Sequence, residues 1–507
     1  MKHLAQKNIL VLGLGASGLA LARWCARCGA KVTVADTRAT PPQLQALRAS
    51  VPAATFINAE MTEALLASAA FDLVLKSPGL SPASVAGVIT AAVARGIACG
   101  NELSLFAQAL ADLKEDQAYV PQVIGITGTN GKTTVTSLTG QLVQRAGKSV
   151  AVAGNIGPTL LDTLAEKLDE KLKGHALPDV WVLELSSFQL DRIDNFEPTV
   201  ATVLNVTQDH LDWHETLPNY IVAKARVYGS GGLMLLNRDD PLVMAAIPQQ
   251  MAQVPRVKGK QVRDYLTFGS DEPQRPGDYG IETVNGMAWL VRAAEADETI
   301  KRRKDEEVVL HIQRLMPLDA LRIRGRHNAT NALAALGLAV AAGCSLAPML
   351  HGLREYRGEP HRVESVAVVN DIEYFDDSKG TNVGATAAAL AGLGTERKLV
   401  VILGGEGKGQ DFSPLAEPVS RYVRAVVLIG RDAPLIRSAL QASHVPLLGA
   451  ASMQEAVTVA AQQARGGDAV LMSPACASFD MFDNYEHRAR VFCEAVQALA
   501  QERGTVL

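Results

Sequence analysis

The 507-residue chain has no long lysine- or arginine-rich tract, no repeat at solenoid spacing, and no apolar stretch free of charge and glycine that reaches ~18 residues. Each absence excludes a class. With no long basic tract and a formal net charge of −4, a nucleic-acid partner fits poorly. With no long apolar run, no membrane span is expected. Cysteine is sparse: Cys25, Cys28, Cys99, Cys344, Cys476 and Cys493 are scattered through the chain, which suggests reduced thiols in a cytoplasmic protein rather than a disulfide framework. Cys25 and Cys28 read either as a redox or zinc half-site or as two packed thiols on a helix, and no second Cys or His pair accompanies them. The N-terminus "MKHLAQKNILVLGLGASG" has a basic start, but glycines interrupt its apolar run. A strand entering a loop explains it better than a signal peptide.

Hydrophobic residues make up 48% of the chain and charged residues 20%, the balance of a soluble globular protein. At roughly 100–200 residues per domain, about three domains are expected, each able to bury a core. In the first, "NILVL", "KVTVAD" and "FDLVLK" have strand character, with "ASGLALARWCARCG" and "SVAGVITAAVARG" as helices between them. Such alternation predicts parallel strands with helical crossovers. The polar stretch "ALADLKEDQAYVPQ" reads as a linker, so the first domain is expected over 1–117. A second, over 118–354, repeats the alternation from "VIGITG" onward and changes to antiparallel hairpins around 265–324. There "EADETIKRRKDEE" reads as a solvated insertion. "RHNATNALAALGLAVAAG" is a helix that closes this domain. A third domain, over 355–507, carries "SVAVVND", "KLVVILGG", "RAVVLIG" and "DAVLMSPA", from which another parallel sheet is expected.

Two glycine loops stand out. Gly13-Leu14-Gly15-Ala16-Ser17-Gly18 is a complete G-x-G-x-x-G between a strand and a helix, with Asp36 ending the next strand. This pattern suits a dinucleotide, but any nucleoside diphosphate satisfies the same physics. The second loop, Gly128-Thr129-Asn130-Gly131-Lys132-Thr133-Thr134, is shorter than the usual G-x-x-x-x-G-K-[ST]: where that pattern requires a glycine, the chain has Ile126. Gly128 and Gly131 let backbone amides curl around phosphate oxygens, Lys132 can neutralise charge, and Thr133 can offer a hydroxyl to Mg²⁺. Glu184, at the tip of "VWVLE", is the hard oxygen ligand that such an ion needs. "NVTQDHLDWH" gathers Asp209, His210, Asp212 and His214, as a metal cluster or as a polar turn. Lys224, in "YIVAKARVY", reads by itself as a surface lysine. In the third domain, "FDDSKGTN", "GGEGKGQDF" and "SPACASFD" follow strands, making Asp377, Lys379, Lys408 and Ser478 candidates for an anion or amino-acid pocket.

Taken in order, "GTNGKTT", "GNIG", "LELSSFQL", "NVTQDHLD", "HNATNALAA", "PHRVE", "DDSKGTN", "GGEGKGQDF" and "SPACASFD" resemble the Mur ligases over essentially the whole chain. The start "GLGASG", with "ADTR", "KSPG" and "LELSSFQL", is most similar to the branch that adds D-glutamate. The D-N-P-R motif of the diaminopimelate-adding branch is absent.

The resemblance implies an α/β protein with a Rossmann-like N-terminal domain, a central P-loop ATPase-type domain with a mostly parallel sheet, and a Rossmann-like C-terminal domain. It implies an ATP-dependent amide ligase that adds D-glutamate to UDP-N-acetylmuramoyl-L-alanine through an acyl phosphate, in peptidoglycan precursor synthesis. The N-terminal loop then holds UDP, not NAD. Gly15, Ala16, Ser17, Asp36, Thr37, Arg38 and Ser77 match the UDP-substrate side, as do Asn155, Ser186 and Gln189. Gly128 to Thr134 match the ATP loop, joined by Asn328, Asn331, Arg362 and Asp377. Thr133 and Glu184 match ligands of one Mg²⁺, and His210 with a carbamylated Lys224 match a second. Lys132, Glu184, His210 and Lys224 are the catalytic candidates, while Thr381, Lys408, Ser478 and Tyr485 match the D-glutamate site. The expected partners are small molecules only, bound by a monomer. The lengths near 161–178 and 292–307 depart from the family pattern.

Rival readings are a Mur-type ligase for another amino acid, a nicotinamide-dependent dehydrogenase, and a nucleotide-switched binding protein. The dehydrogenase leaves the second loop, Glu184 and the third-domain loops without a role. The switch requires an N-K-x-D guanine motif, which is missing.

Overall fold

Short runs of valine, isoleucine and leucine alternate with helices along most of the chain, and parallel pairing follows from that alternation. A computed structural model of the chain describes residues 2–67, 69–245, 265–296, 309–395 and 397–504. Among the described residues the strands form three sheets. The first is fully parallel and runs in the order Thr55–Asn58, Lys31–Asp36, Asn8–Leu12, Leu73–Lys76, Ala98–Gly100. The third places Glu364–Val369, Ile372–Asp376, Ala469–Met472, Leu399–Gly404, Val423–Ile429 and Leu447–Gly449 side by side.

The second sheet has a parallel half and an antiparallel wing. Its parallel half orders Val150–Gly154, Val180–Glu184, Gln122–Thr127, Val200–Val203, Leu233–Asn237 and Tyr265–Phe268. Strands Tyr279–Val284, Met287–Glu295 and Leu310–Pro317 extend it as an antiparallel meander. Strands Val180–Glu184, Val200–Val203 and Leu399–Gly404 are buried at every position, as befits strands covered on both faces.

Three expectations need correction. The polar stretch expected as a linker lies mostly in the helix Glu102–Gln117, whose buried face uses Leu103, Leu105, Phe106, Ala109 and Leu113. Its charged residues are the solvent face of an amphipathic helix, and only 118–121 connect onward. "YLTF" is not part of a hairpin, because it pairs in parallel with Leu233–Asn237. The third sheet is not wholly parallel, since Glu364–Val369 pairs antiparallel with Ile372–Asp376. The two-residue turn between them, Asn370-Asp371 with φ of 53° and 60°, is a hairpin signal that the sequence carried and the apolar runs obscured. Residues 297–308, which cover most of the charged insertion, lie outside the described residues, whereas the long stretch near 161–178 begins as the helix Leu160–Leu172.

Cys25 is buried and Cys28 half-buried, both free, and burial pushes the Cys25 thiol up to about 12. They are packed thiols. No helix among the described residues is long and apolar enough to cross a membrane.

Candidate active site

Ligand sites in open parallel sheets form beyond the carboxyl ends of the strands, and here each sheet presents a cluster of loops at that edge. On the first sheet, "GLGASG", "DTR" and "SPG" follow three neighbouring strands, Asn8–Leu12, Lys31–Asp36 and Leu73–Lys76. Strand order reverses there, so these loops meet at a switch point. A Cβ on Gly18 would stand 2.0 Å from the Gly13 carbonyl oxygen, which explains the last glycine of the pattern. Asp36 is turned inward. It accepts from the Leu14 amide at 2.8 Å and from Arg38 Nε and Nη2, both at 2.8 Å. The Arg38 guanidinium holds its carboxyl at about 2.

On the second sheet the shortened loop joins strand Gln122–Thr127 to helix Lys132–Arg145. Gly131 has φ +81°, and a Cβ there would lie 2.8 Å from Asn331 Oδ1. The loop is braced from the neighbouring strand end. Asn130 N donates to Asn205 Oδ1 at 2.8 Å, Thr129 N donates to the Asn205 carbonyl at 2.9 Å, and the hydroxyls of Thr129 and Tyr220 are 3.2 Å apart. Lys132 Nζ donates to the carbonyls of Gly128 and Thr129, both at 2.8 Å. Burial lowers its pKa, and Glu184 opposes that shift.

Glu184 is 1% exposed; Oε1 accepts from Asn155 Nδ2 at 2.7 Å, while Oε2 has no hydrogen-bond partner. A buried carboxylate oxygen left open beside a phosphate loop and the Thr133 hydroxyl fits a hard divalent cation. His210 lies close to this group with φ +54°, its ring edge-on to Phe188 at 4.8 Å. Burial lowers its pKa, and Asp209 acts the other way. His214 points elsewhere, its Nε2 2.9 Å from Ser187 Oγ, so "DHLDWH" does not form one metal cluster. Lys224 is not a surface residue. It is 2% exposed, its Nζ donates to the Gly128 carbonyl at 2.8 Å and sits 4.4 Å from the Tyr220 ring centroid. Burial, reinforced by the charge of Lys132, pushes its pKa well below the usual lysine range.

The third sheet closes the site from the other side. Arg362 Nη2 donates to Thr133 Oγ1 at 2.9 Å, and Asn382 Nδ2 donates to Asn130 Oδ1 at 3.1 Å. A cavity of about 560 Å³ results, lined by residues 129–133, Asn155, Glu184, His210 and Arg362 together with Thr381, Lys408 and Tyr485. A second cavity, of about 210 Å³, shares Asn130, Gly131 and Arg362 and adds Thr134, Asn328, Asn331 and Asp377. Burial raises the Asp377 carboxyl to about 7, although Ser473 Oγ donates to it at 2.6 Å.

Comparison with known proteins is decisive. The chain is 63% identical to a UDP-N-acetylmuramoylalanine--D-glutamate ligase of Polaromonas sp. (strain JS666), with all of both chains covered. It is 65% identical to the protein of that name from Albidiferax ferrireducens, over 99% of this chain and 98% of the relative. The chain belongs to the Mur ligase family. Residues 7–100 match the family described as Mur ligase MurD-like, N-terminal domain; 126–339 match Mur ligase middle domain; and 361–476 match Mur ligase, glutamate ligase domain. Among solved structures, MurF ligase from Thermotoga maritima in complex with ADP aligns with TM-score 0.56 at 15% identity, covering 99% of this chain and 97% of that one. MurC from the same organism aligns with TM-score 0.51 at 18% identity, over 97% and 100%. These structures share the three-domain α/β Mur ligase fold.

Some candidates stand apart from both cavities. Gly15, Ala16, Ser17, Thr37, Arg38 and Ser77 sit on the N-terminal sheet edge and line neither. Ser186 and Gln189 pair with each other, Ser186 Oγ donating to Gln189 Oε1 at 2.9 Å. Ser478 is buried and lines neither cavity. Sequence reasoning missed Asn205 and Asn382, which hold the Mur ligase phosphate loop, and His361, which lines the main cavity. "PHRVE" was itself a legible signal for His361, because it stands beside Arg362.

Proposed function

We propose that the chain joins D-glutamate to UDP-N-acetylmuramoyl-L-alanine at the expense of ATP, in peptidoglycan precursor synthesis. The observation that carries this reading is one cavity walled by the phosphate loop, by Glu184 with its open oxygen, and by the third-sheet residues Thr381, Lys408 and Tyr485. The relatives' name supplies the amino acid and the nucleotide sugar.

A carboxylate is a poor acylating agent, so its oxygen first attacks the γ-phosphoryl group, giving an acyl phosphate and ADP. Residues 128–134 cradle the phosphates, and Lys132 and Arg362 neutralise charge that would repel the attacking carboxylate. Thr133 and Glu184 would hold one Mg²⁺, and His210 with Lys224 a second; when bound, these ions neutralise phosphate charge. Lys224 serves there as a carbamate, because an ammonium repels a cation whereas a carbamate offers oxygen donors. Its lowered pKa supports this, since only the uncharged amine adds carbon dioxide. Asn328, Asn331 and Asp377 take the rest of the nucleotide. Lys408, Thr381, Ser478 and Tyr485 hold D-glutamate. The N-terminal loops hold UDP, and domain closure brings the ends together. Asp36 is committed to Arg38 and the Leu14 amide, which disfavours the dehydrogenase reading, where it would bind a ribose.

Phosphate release from ATP tests the reading. It should require both UDP-N-acetylmuramoyl-L-alanine and D-glutamate for sustained turnover. Equal turnover without D-glutamate, or with any amino acid, would refute it.

A further inference from the structure

The incoming amino acid arrives as an ammonium ion, which has no lone pair to attack with, so ligation requires somewhere for a proton to go. The main cavity contains a histidine that no role above uses. His361 lines it beside Arg362, Thr381, Lys408 and Tyr485. Its Nδ1 lies 2.7 Å from Asp376 Oδ2. Asp376 is 0% exposed, and its other oxygen accepts from Ser378 N at 2.9 Å and from Ser378 Oγ at 2.6 Å. A carboxylate so occupied acts as an acceptor toward the imidazole. The proton of neutral His361 therefore sits on Nδ1, and Nε2 keeps its lone pair.

The backbone is committed as well. His361 has φ +63°, a left-handed conformation that costs a histidine energy and is found where geometry is constrained. Its amide donates to Glu364 Oε2 at 2.9 Å, and its carbonyl accepts from Lys379 N at 3.1 Å. His361, Glu364 and Asp376 offer three ligating atoms within 4.8 Å of one another, but the imidazole–carboxylate contact is a hydrogen bond and Glu364 is spent on the amide, so a base held by an acid describes the group better than a metal site. The ionisable groups facing it are Asp376, Glu364, Arg362, Lys379, Tyr485 and Glu486.

We propose that His361 is the catalytic base that takes a proton from the ammonium of the incoming amino acid, with Asp376 as its positioning residue. The proposal rests on the ligation reading above. His361 Nε2 removes one proton, and the freed nitrogen lone pair forms the C–N bond at the acyl carbon. The C–O bond to phosphate then breaks, phosphate leaves with that electron pair, and it takes up the second proton lost from nitrogen. The products are an amide, inorganic phosphate and a protonated imidazole that returns its proton to solvent.

Two nucleophiles separate this step from the one before it. Hydroxylamine is largely unprotonated at neutral pH and traps an acyl phosphate as a hydroxamate without needing a base. In the full-length chain, His361→Gln should lower kcat with saturating D-glutamate by about 10²-fold or more. It should leave KM for D-glutamate little changed and retain hydroxamate formation. The residual kcat should climb about tenfold per pH unit as free amine accumulates. Asp376→Asn should show the same pattern more weakly. The proposal is overturned if His361→Gln keeps its kcat, if only KM for D-glutamate rises, or if hydroxamate formation falls as far as ligation does. Absence of hydroxamate from the unmodified protein would instead overturn the ligation reading, and this proposal with it.

Discussion

Arg362, from the third domain, donates through Nη2 to Thr133 Oγ1 of the phosphate loop at 2.9 Å, so one hydrogen bond spans the two domains at the proposed ATP site. A guanidinium there adds positive charge to a loop that already carries Lys132. Removing a hydrogen bond to a charged group costs about 1.5–3 kcal/mol. Arg362→Ala should therefore lower kcat/KM for ATP by roughly 10–100-fold. Arg362→Lys should recover part of that, because it keeps the charge but loses the planar fork. Steady-state kinetics in ATP would check both, and an unchanged kcat/KM would remove Arg362 from the nucleotide site.

Lys132→Ala should abolish turnover. Because Lys132 Nζ donates to the Gly128 and Thr129 carbonyls and Gly128 keeps its bond from Lys224, the substitution also leaves the Thr129 carbonyl unpaired, at a cost of about 1–3 kcal/mol. Thermal unfolding should show a modest fall in Tm with the fold retained. ATP consumption near that of the unmodified protein would contradict the assignment of the loop.

Lys224→Ala should lose activity, and formate or acetate in the buffer should restore part of it by supplying the missing oxygens. Lys224→Arg should not be active, because it stays cationic and takes up no carbon dioxide. Substantial activity in Lys224→Arg, with no rescue of Lys224→Ala, would identify Lys224 as a plain cation and exclude the carbamate.

Glu102 makes a pH prediction. It is 1% exposed between the first and second domains; Oε1 accepts from the Leu161 amide at 3.1 Å, and Oε2 has no hydrogen-bond partner. Burial raises its carboxyl from 4.5 to about 7. A carboxyl with a raised folded-state pKa binds its proton more tightly in the folded state. Its stabilisation is complete below the unfolded value and is lost as pH rises through the folded one. The window is therefore 4.5 to about 7. Glu102→Gln, a permanent mimic of the neutral acid, should gain Tm relative to the unmodified protein as pH rises from about 5 to about 8. A Tm difference that does not change with pH would show that Glu102 is not the group titrating.

The parallel sheets and the phosphate loop were legible because strand–glycine–helix punctuation is local and each glycine has a steric reason. The antiparallel edge at Glu364–Val369 was not legible from apolar runs, which look the same in either direction. Only the Asn370-Asp371 turn distinguishes them. The burial of Lys224 was not legible in its own segment. Its helix reads as amphipathic, and its burial depends on Tyr220 and on the Gly128 carbonyl, 96 residues away in the chain. Asn205 and Asn382 were missed for the same reason, since their bonds to Asn130 span 75 and 252 residues.

The central claim is that this cavity activates a carboxylate by phosphorylating it. The most direct test places heavy oxygen in the terminal carboxylate of UDP-N-acetylmuramoyl-L-alanine and follows it through one turnover with ATP and D-glutamate. Activation through an acyl phosphate transfers one labelled oxygen to the released inorganic phosphate and leaves the other in the amide product. Inorganic phosphate free of label, with ligation still proceeding, would contradict the account.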